Sequence, residues 1–327
     1  MMSWLAEHDQ PDTAIELAWK TWRFWWLQGH ADDLARFTGT VLANSERLAP
    51  HEQALALAAN GFGHFVDGDK DGAQALFEQS MPLFRQAGDK VRTALAAGVL
   101  GHLLALRHQD VSADSMLDES QTLLRELDNH ELTGHDRIQH QLNVAYLYNF
   151  LGQIRLTRGD NQAAAELFTQ GLSAARRAQD RITILFSLYD LGVSSQAQGD
   201  LSGAAVYLRE GLSLAAEAGD KSSAAYYIEQ LAALVSLQGN TQRAVRLLAA
   251  AGALLEANGS GWLHAFLPHE RHSDEALTTL RSRQHDPAFE AAWAHGRSIG
   301  AKSAVEYALN SGQTTIPGND SPKLDLA

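Results

Sequence analysis

The sequence predicts an all-α fold: a solenoid of about six helix pairs with a 40-residue unit, closed by a C-terminal helical cap. Three observations carry this. Glycines recur 40 residues apart at Gly159, Gly199 and Gly239. Each is followed by a capping residue, Asp160, Asp200 or Asn240. Proline is scarce, seven in 327 residues, whereas the helix formers Ala and Leu are abundant.

Three segments align without gaps, beginning at Leu151-Gly152, Leu191-Gly192 and Leu231-Ala232. A second turn follows 20 residues after the first, as from Gly199 to Gly219, so each unit is two helices of about 16 residues. The turn glycine has a physical reason. Helices often end on a left-handed residue, which glycine adopts without a Cβ penalty. The Asp or Asn after it then accepts a hydrogen bond from a free N–H of the next helix.

Residue size repeats with the turns. Seven residues before the turn stands a small residue: Gly61, Gly101, Gly152, Gly192 and Ala232. Five after it stands alanine: Ala73, Ala113, Ala164, Ala204 and Ala244. Nine after it stands a bulky one: Phe77, Leu117, Phe168, Leu208 and Leu248. Twelve after it the residue is small again: Ser80, Ser120, Gly171, Gly211 and Ala251. Small positions let two helices approach, and the bulky position fills the space beside them.

This pattern resembles the tetratricopeptide repeat. Leu191-Gly192 match its Leu-Gly pair, Ala204 its central alanine, and Leu208 and Gly211 its later aromatic and small positions. The resemblance implies a right-handed superhelical solenoid. The usual repeat is about 34 residues; the unit here is 40, and the family's closing proline is missing.

Read backwards, turns at Gly68-Asp69 and His108-Gln109-Asp110 continue the spacing. From residue 108 to 159 is 51, about 11 more than one unit, and the extra residues are assigned to a loop at 129–139 around Gly134. A decayed first unit turns at Gly29-His30, and its first helix carries Trp19, Trp22, Trp25 and Trp26. The expected organisation is a repeat array over 1–259, a cap over 260–310 and a disordered tail over 311–327. The cap is expected to contain helices near Ser273–Gln284, Pro287–Ile299 and Ser303–Leu309; the tail is rich in Gly, Pro, Ser, Asn and Thr.

Composition narrows the function classes. The net charge of −13 repels phosphate backbones, so no direct nucleic-acid binding is expected. With no cysteine, disulfides, thiolate metal sites and cysteine nucleophiles are excluded. The N-terminus has no basic region before an apolar core, and no apolar stretch reaches the roughly 20 residues of a membrane span. A cytoplasmic protein without membrane contact is expected.

The order of segments resembles a family. A Trp-rich first helix and the Gly-Asp-punctuated pairs are followed by Arg243-Ala244-Val245-Arg246-Leu247-Leu248, then Phe289-Glu290-Ala291-Ala292-Trp293 and Ala304-Val305-Glu306-Tyr307. This is similar to the C-terminal repeat region of large bacterial signal-transduction ATPases, among them the maltose-regulon activator and antibiotic regulators of actinomycetes. The resemblance covers about residues 3–309. It implies a non-catalytic sensor arm that receives a protein, a peptide or a small-molecule inducer and works on an upstream nucleotide-binding domain. The chain carries no Gly-x-x-x-x-Gly-Lys-Ser/Thr phosphate loop of its own. A stand-alone peptide- or protein-binding adaptor is the alternative, followed by a small-molecule-binding or catalytic repeat protein.

In a tetratricopeptide repeat, first-helix residues thirteen, ten and six before the turn glycine face inward. This selects Tyr146, Phe186 and Tyr226, then Asn149, Tyr189 and Glu229, then Gln153, with His102 from an earlier unit. Aromatics with a few polar groups suit a peptide or a small amphipathic ligand. Inter-repeat packing accounts for the aromatics equally well, and less well for Asn149 and Glu229. Trp19, Trp22 and Trp26 share a helix face and are expected to pack inward, which leaves Trp25 as a docking candidate.

Other motifs have plainer readings. Asp67-Gly68-Asp69-Lys70-Asp71-Gly72 with Glu78 fits the calcium-loop pattern, but it coincides with a repeat turn and with helix positions Ala73 and Phe77. The turn is preferred, and no cofactor is expected. The clusters His130, His135, His140 and His264, His269, His272 lack metal-binding helical spacing with a carboxylate partner. No catalytic constellation is present; Ser194-Ser195 lie on a helix rather than at a nucleophile elbow.

Overall fold

A computed structural model describes residues 10–27, 31–43, 48–128, 132–259, 261–267, 274–282, 286–287 and 289–310. The described residues form fifteen α-helices, one 3-10 turn and no strand. In order the helices are α1 (Pro11–Leu27), α2 (Ala31–Leu42), α3 (Pro50–Val66), α4 (Lys70–Gln86), α5 (Lys90–Ala105), α6 (Asp110–Asp128), α7 (Gly134–Thr157) and α8 (Asn161–Ala178). They continue with α9 (Arg181–Ala197), α10 (Leu201–Glu217), α11 (Lys221–Leu237) and α12 (Thr241–Asn258). After the 3-10 turn Trp262–Phe266 come α13 (Asp274–Ser282), α14 (Glu290–Ser298) and α15 (Ala301–Leu309). None of the described helices is long and apolar enough to cross a membrane.

The turns form as their chemistry dictates. Gly68 has φ +81° and Gly199 φ +78°, left-handed values that close one helix before the next begins. Where the glycine is missing, His108 and Gln179 take the same region at φ 56° and 53°. The side chains of Asp69, Asp89, Asp160, Asp200, Asp220 and Asn240 each accept from the backbone N–H three residues on, at 2.9–3.2 Å. The calcium-like stretch is one of these turns: Asp69 caps α4, and Glu78 lies within that helix, accepting from Gln74 at 2.7 Å.

The chain divides into two compact units. The first contains residues 1–190 and 261–269. In it α3 packs on α4, α5 on α6 and α7 on α8, while the first helices α5 and α7 also touch directly. The close approach within each pair occurs where small meets large. A Cβ on Gly61 would lie 3.1 Å from the Phe77 ring, one on Gly101 2.6 Å from Leu117, and one on Gly152 2.5 Å from Phe168. Hydrogen bonds tie the helices within a pair and between pairs: Ser120 of α6 donates to the Ala94 carbonyl of α5, and Asn143 of α7 to the Val91 carbonyl of α5, each at 2.7 Å. In α1, Trp19 and Trp22 are buried, and Trp22 stacks on Phe62 at 4.9 Å with the planes 7° apart.

The stretch expected as a loop at 129–139 differs in part. From Gly134 on it is helix, so the insertion lengthens α7 to 24 residues rather than bulging outward. Residues 129–131 lie outside the described residues, as do the turn at Gly29-His30, the Trp26 side chain and the tail 311–327.

The second unit contains residues 191–260 and 270–327. The same pairing holds there, since a Cβ on Gly192 would lie 2.5 Å from Leu208; between pairs, one on Gly211 of α10 would lie 2.2 Å from Tyr227 of α11. Three short helices complete it, α13 on α11 and α12, α14 on α12, and α15 on α10 to α12. Gly296 lets α14 reach α12, since a Cβ there would meet the Arg246 carbonyl at 2.2 Å. Arg243 lies over the Tyr307 ring at 5.1 Å and donates to the Tyr307 carbonyl at 3.0 Å. The expected cap is therefore shared: its helices build the second unit, whereas residues 261–267 belong to the first.

Gly152→Val should lower stability by about 1–3 kcal/mol through overpacking against Phe168. Adding Phe168→Leu, which shortens the opposing side chain while keeping it apolar, should return part of that loss. Chemical unfolding followed by circular dichroism measures both, and an unchanged midpoint for Gly152→Val would remove the contact from the account.

Candidate functional site

The first helices of the first unit direct a row of rings to one place. Phe65 comes from α3, His102 from α5, Tyr146 and Phe150 from α7, and Phe186 from α9, and all five are buried. His102 stacks on Phe150 at 4.4 Å with the planes 19° apart. Phe150 and Tyr146 each lie within 6.5 Å of Phe186. At the centre sits Phe266, from the 3-10 turn. Its ring is 5.1 Å from both Phe65 and Phe186 and 5.9 Å from Tyr146. Aromatic pairs in such geometry contribute about 0.5–1.5 kcal/mol each beyond the area they bury.

A polar element completes the site. Gln153 Nε2 donates to the Phe266 carbonyl at 2.7 Å and approaches both Asp190 oxygens at 3.3 Å. Asp190 is fully buried, and burial pushes its carboxyl well above the usual carboxylate range, with the Gln153 bond opposing weakly. A buried carboxyl and a primary amide therefore stand beside an otherwise aromatic site. The set can hold a ring and a main-chain carbonyl.

The structure brings together four of the sequence-selected residues, His102, Tyr146, Gln153 and Phe186. Asn149 and Glu229, the two that packing explained least well, both have partners. Asn149 donates to Ser187 Oγ at 2.8 Å and to the Ala145 carbonyl at 2.9 Å, linking α7 to α9. Glu229, in the second unit, is buried and paired with Arg281 of α13. These bonds anchor Glu229 and the Asn149 amide nitrogen to neighbouring helices, whereas the buried Asn149 Oδ1 has no hydrogen-bond partner among the described residues. Tyr189 is fully buried in the first unit, and Tyr226 is buried in the second. Trp25 is half-buried and donates from Nε1 to Thr21 of its own helix at 3.2 Å. Phe65, Phe150, Asp190 and Phe266 are additions from the structure. Register could have flagged Phe150 and Asp190, which both stand nine residues before a turn glycine.

A second concavity of about 760 Å³ opens between α1, α3, α5 and the start of α7, over Trp19, His51, Asp89 and Arg92. Its charges satisfy one another. Asp89 caps α5, meets His51 Nε2 at 2.9 Å and accepts from Arg92 at 2.7 Å. The Asp89 hydrogen bond raises the His51 pKa. Burial resists ionisation of Asp89, yet the His51 bond and the Arg92 charge outweigh it and hold its carboxyl below the ordinary value. Arg92 also lies 5.9 Å over the Trp19 ring. Of the clustered histidines, His140 is buried and His264 exposed; His130, His269 and His272 and the His135 side chain lie outside the described residues. Among the described residues, no group of three His, Cys, Asp or Glu side chains could hold a metal.

No protein-family model and no curated protein matches the chain. Among solved structures it is similar to a Rap protein complexed with Competence and Sporulation Factor, with TM-score 0.51 and 15% identity over 91% of this chain and 100% of that one. It is also similar to the apo form of RapI, with TM-score 0.48 and 12% identity over 93% and 96% of the two chains. A Podosopora anserina kinesin-light-chain-type protein of nearly identical TPR-like repeats matches at TM-score 0.39 and 16% identity over 63% of this chain and 97% of that one. The likeness to the Rap protein of the complex supports a tetratricopeptide-like repeat fold.

The Asp190 carboxyl gives a pH prediction. Its folded-state pKa lies above its unfolded one, so its contribution is most favourable in acid and is lost as pH rises past the ordinary carboxylate value of 3.8. Asp190→Asn removes that loss. The variant should gain stability relative to the parent as pH rises from 4 to about 8, as read by unfolding at each pH. A relative stability that falls over the same range would show that Asp190 is ionised in the folded chain.

Proposed function

We propose that the chain is a non-catalytic binding module that takes a protein or peptide partner on the face shared by its first helices. In its finer form it is the sensor arm of a bacterial transcriptional regulator, working in the cytoplasm on a nucleotide-binding domain that precedes it in such proteins. One observation carries the first statement. His102, Tyr146, Gln153 and Phe186, the inward positions of the repeat, converge on one spot and there hold a ring and a backbone carbonyl. A peptide that carries an aromatic residue offers both features, and a small ion offers neither. The Rap protein of similar fold is seen complexed with Competence and Sporulation Factor, and binding of a protein or peptide factor is proposed here for this chain.

The finer statement rests on the order of segments, from the Trp-rich helix to Tyr307, that resembles those regulators. The non-catalytic reading is supported by the chemistry of the face. Its acid Asp190 is buried with a raised pKa, and no metal-ligand set accompanies it among the described residues. Such a site binds without transforming what it binds.

The immobilised chain, incubated with lysate of the organism it comes from, should retain a specific partner. Tyr146→Ala or Gln153→Ala should retain at least about tenfold less, the equivalent of about 1.4 kcal/mol. The exposed-site control Val111→Ser should retain as much as the parent, Val111 being 86% exposed. Helical circular dichroism confirms that each variant is folded. Equal retention by all four chains would contradict the assignment of the face.

A further inference from the structure

The face that the repeat pattern selects for a ligand is already filled, and by the chain itself. The occupant is short: Trp262–Phe266 is a single 3-10 turn, bordered by Gly259 and Gly261 at φ 77° and 64°. It does not extend the repeat, and the cap helices α13 to α15 belong to the other unit. Its anchoring is what a bound peptide would use. Phe266 is 1% exposed among Phe65, Tyr146 and Phe186, Leu263 is fully buried, and Gln153 takes the Phe266 carbonyl. By contrast His264, one helical step away, is exposed. Buried anchors at two positions with an exposed one between them make up a peptide-recognition pattern.

We propose that residues 261–267 are an internal ligand, and that the partner of this face is a peptide segment carrying an aromatic residue whose ring replaces Phe266 and whose carbonyl accepts from Gln153. The proposal rests on the binding-module reading above and names its ligand. The face sets the specificity. It presents rings, one amide and one buried carboxyl, with no Lys or Arg among these described side chains, so an aliphatic–aromatic pair spaced as Leu263 and Phe266 fits, and an acidic residue at the aromatic position does not. Because the internal segment is tethered, it competes at an effective concentration of about millimolar, and an outside peptide must exceed that to enter. The apparent affinity of the free partner is then reduced by the fraction of chains in which the face is open.

The test uses the full chain and a synthetic peptide with the sequence of residues 261–267. Titration is followed by calorimetry or by fluorescence anisotropy of a labelled peptide. Phe266→Ala, which vacates the face, should bind the peptide at least about tenfold more tightly than the parent chain. The same peptide with alanine or glutamate in place of its phenylalanine should lose at least about tenfold, as should the double variant Phe266→Ala/Gln153→Ala. Should Phe266→Ala fail to give a cooperative helical melt, Phe266→Leu replaces it, and the same ordering is expected with a smaller gap. The proposal is overturned if a folded Phe266 variant binds the peptide no better than the parent, or if binding is indifferent to the peptide's phenylalanine. In either case a partner still captured by the parent and lost with Gln153→Ala would leave the binding module standing without its internal ligand.

Discussion

The contact between a small first-helix residue and a bulky second-helix residue 16 positions later is the constraint on which the rest depends. Gly61 meets Phe77, Gly101 meets Leu117, Gly152 meets Phe168 and Gly192 meets Leu208. A protein interior tolerates neither the void left by a smaller partner nor the clash of an added methyl, so each pair can close in only one register. The Gly-Asp turns then do little more than reverse the chain. With the register fixed, α5, α7 and α9 bring their inner positions together in the first unit. The inner face is thus a consequence of packing rather than a separate design.

What distinguishes this face is its filling. Repeat modules commonly line it with side chains that wait for a partner; here rings from three first helices close on Phe266, and Gln153 satisfies the carbonyl of the same residue. The buried Asp190 fits this arrangement. It sits beside Gln153, and its burial disfavours the charged form, which suits a site built for rings rather than ions. The concavity around Trp19 and Asp89 has the opposite character. Its charges are already paired with one another, as expected of surface electrostatics that support a helix start.

The fold was legible to a large extent because its signals are local and repeated. A glycine that ends a helix, an aspartate that caps the next and a small–large pair can each be read within one unit, and the repeats average out accidents such as His108 in place of glycine. The cap helices were legible from their periodicity, close to Asp274–Ser282, Glu290–Ser298 and Ala301–Leu309. Positions on the inner face were legible through register, which found Tyr146, Gln153 and Phe186. Their occupant was not. Phe266 lies in a segment without periodicity, and its place depends on a contact with residues 80 to 201 positions away, for which one chain's sequence holds no local signal. The loop at 129–139 was misread in part because Gly134 usually marks a turn, yet here, at φ 55°, it opens a helix. Asn149 and Glu229 were ambiguous for a related reason: their partners Ser187 and Arg281 become visible only once the helices are stacked.

The central claim is that the inner face of the first unit is a peptide site held by its own segment, and fluorine NMR with a fluorinated phenylalanine at position 266 tests it most directly. Alone, the chain should give one resonance, shifted by the rings of Phe65, Tyr146 and Phe186. Saturation with the captured partner should move that intensity to the shift of a solvent-exposed phenylalanine. A partner that binds fully while the Phe266 resonance stays where it was would show that Phe266 is a permanent part of the core and that binding takes place elsewhere.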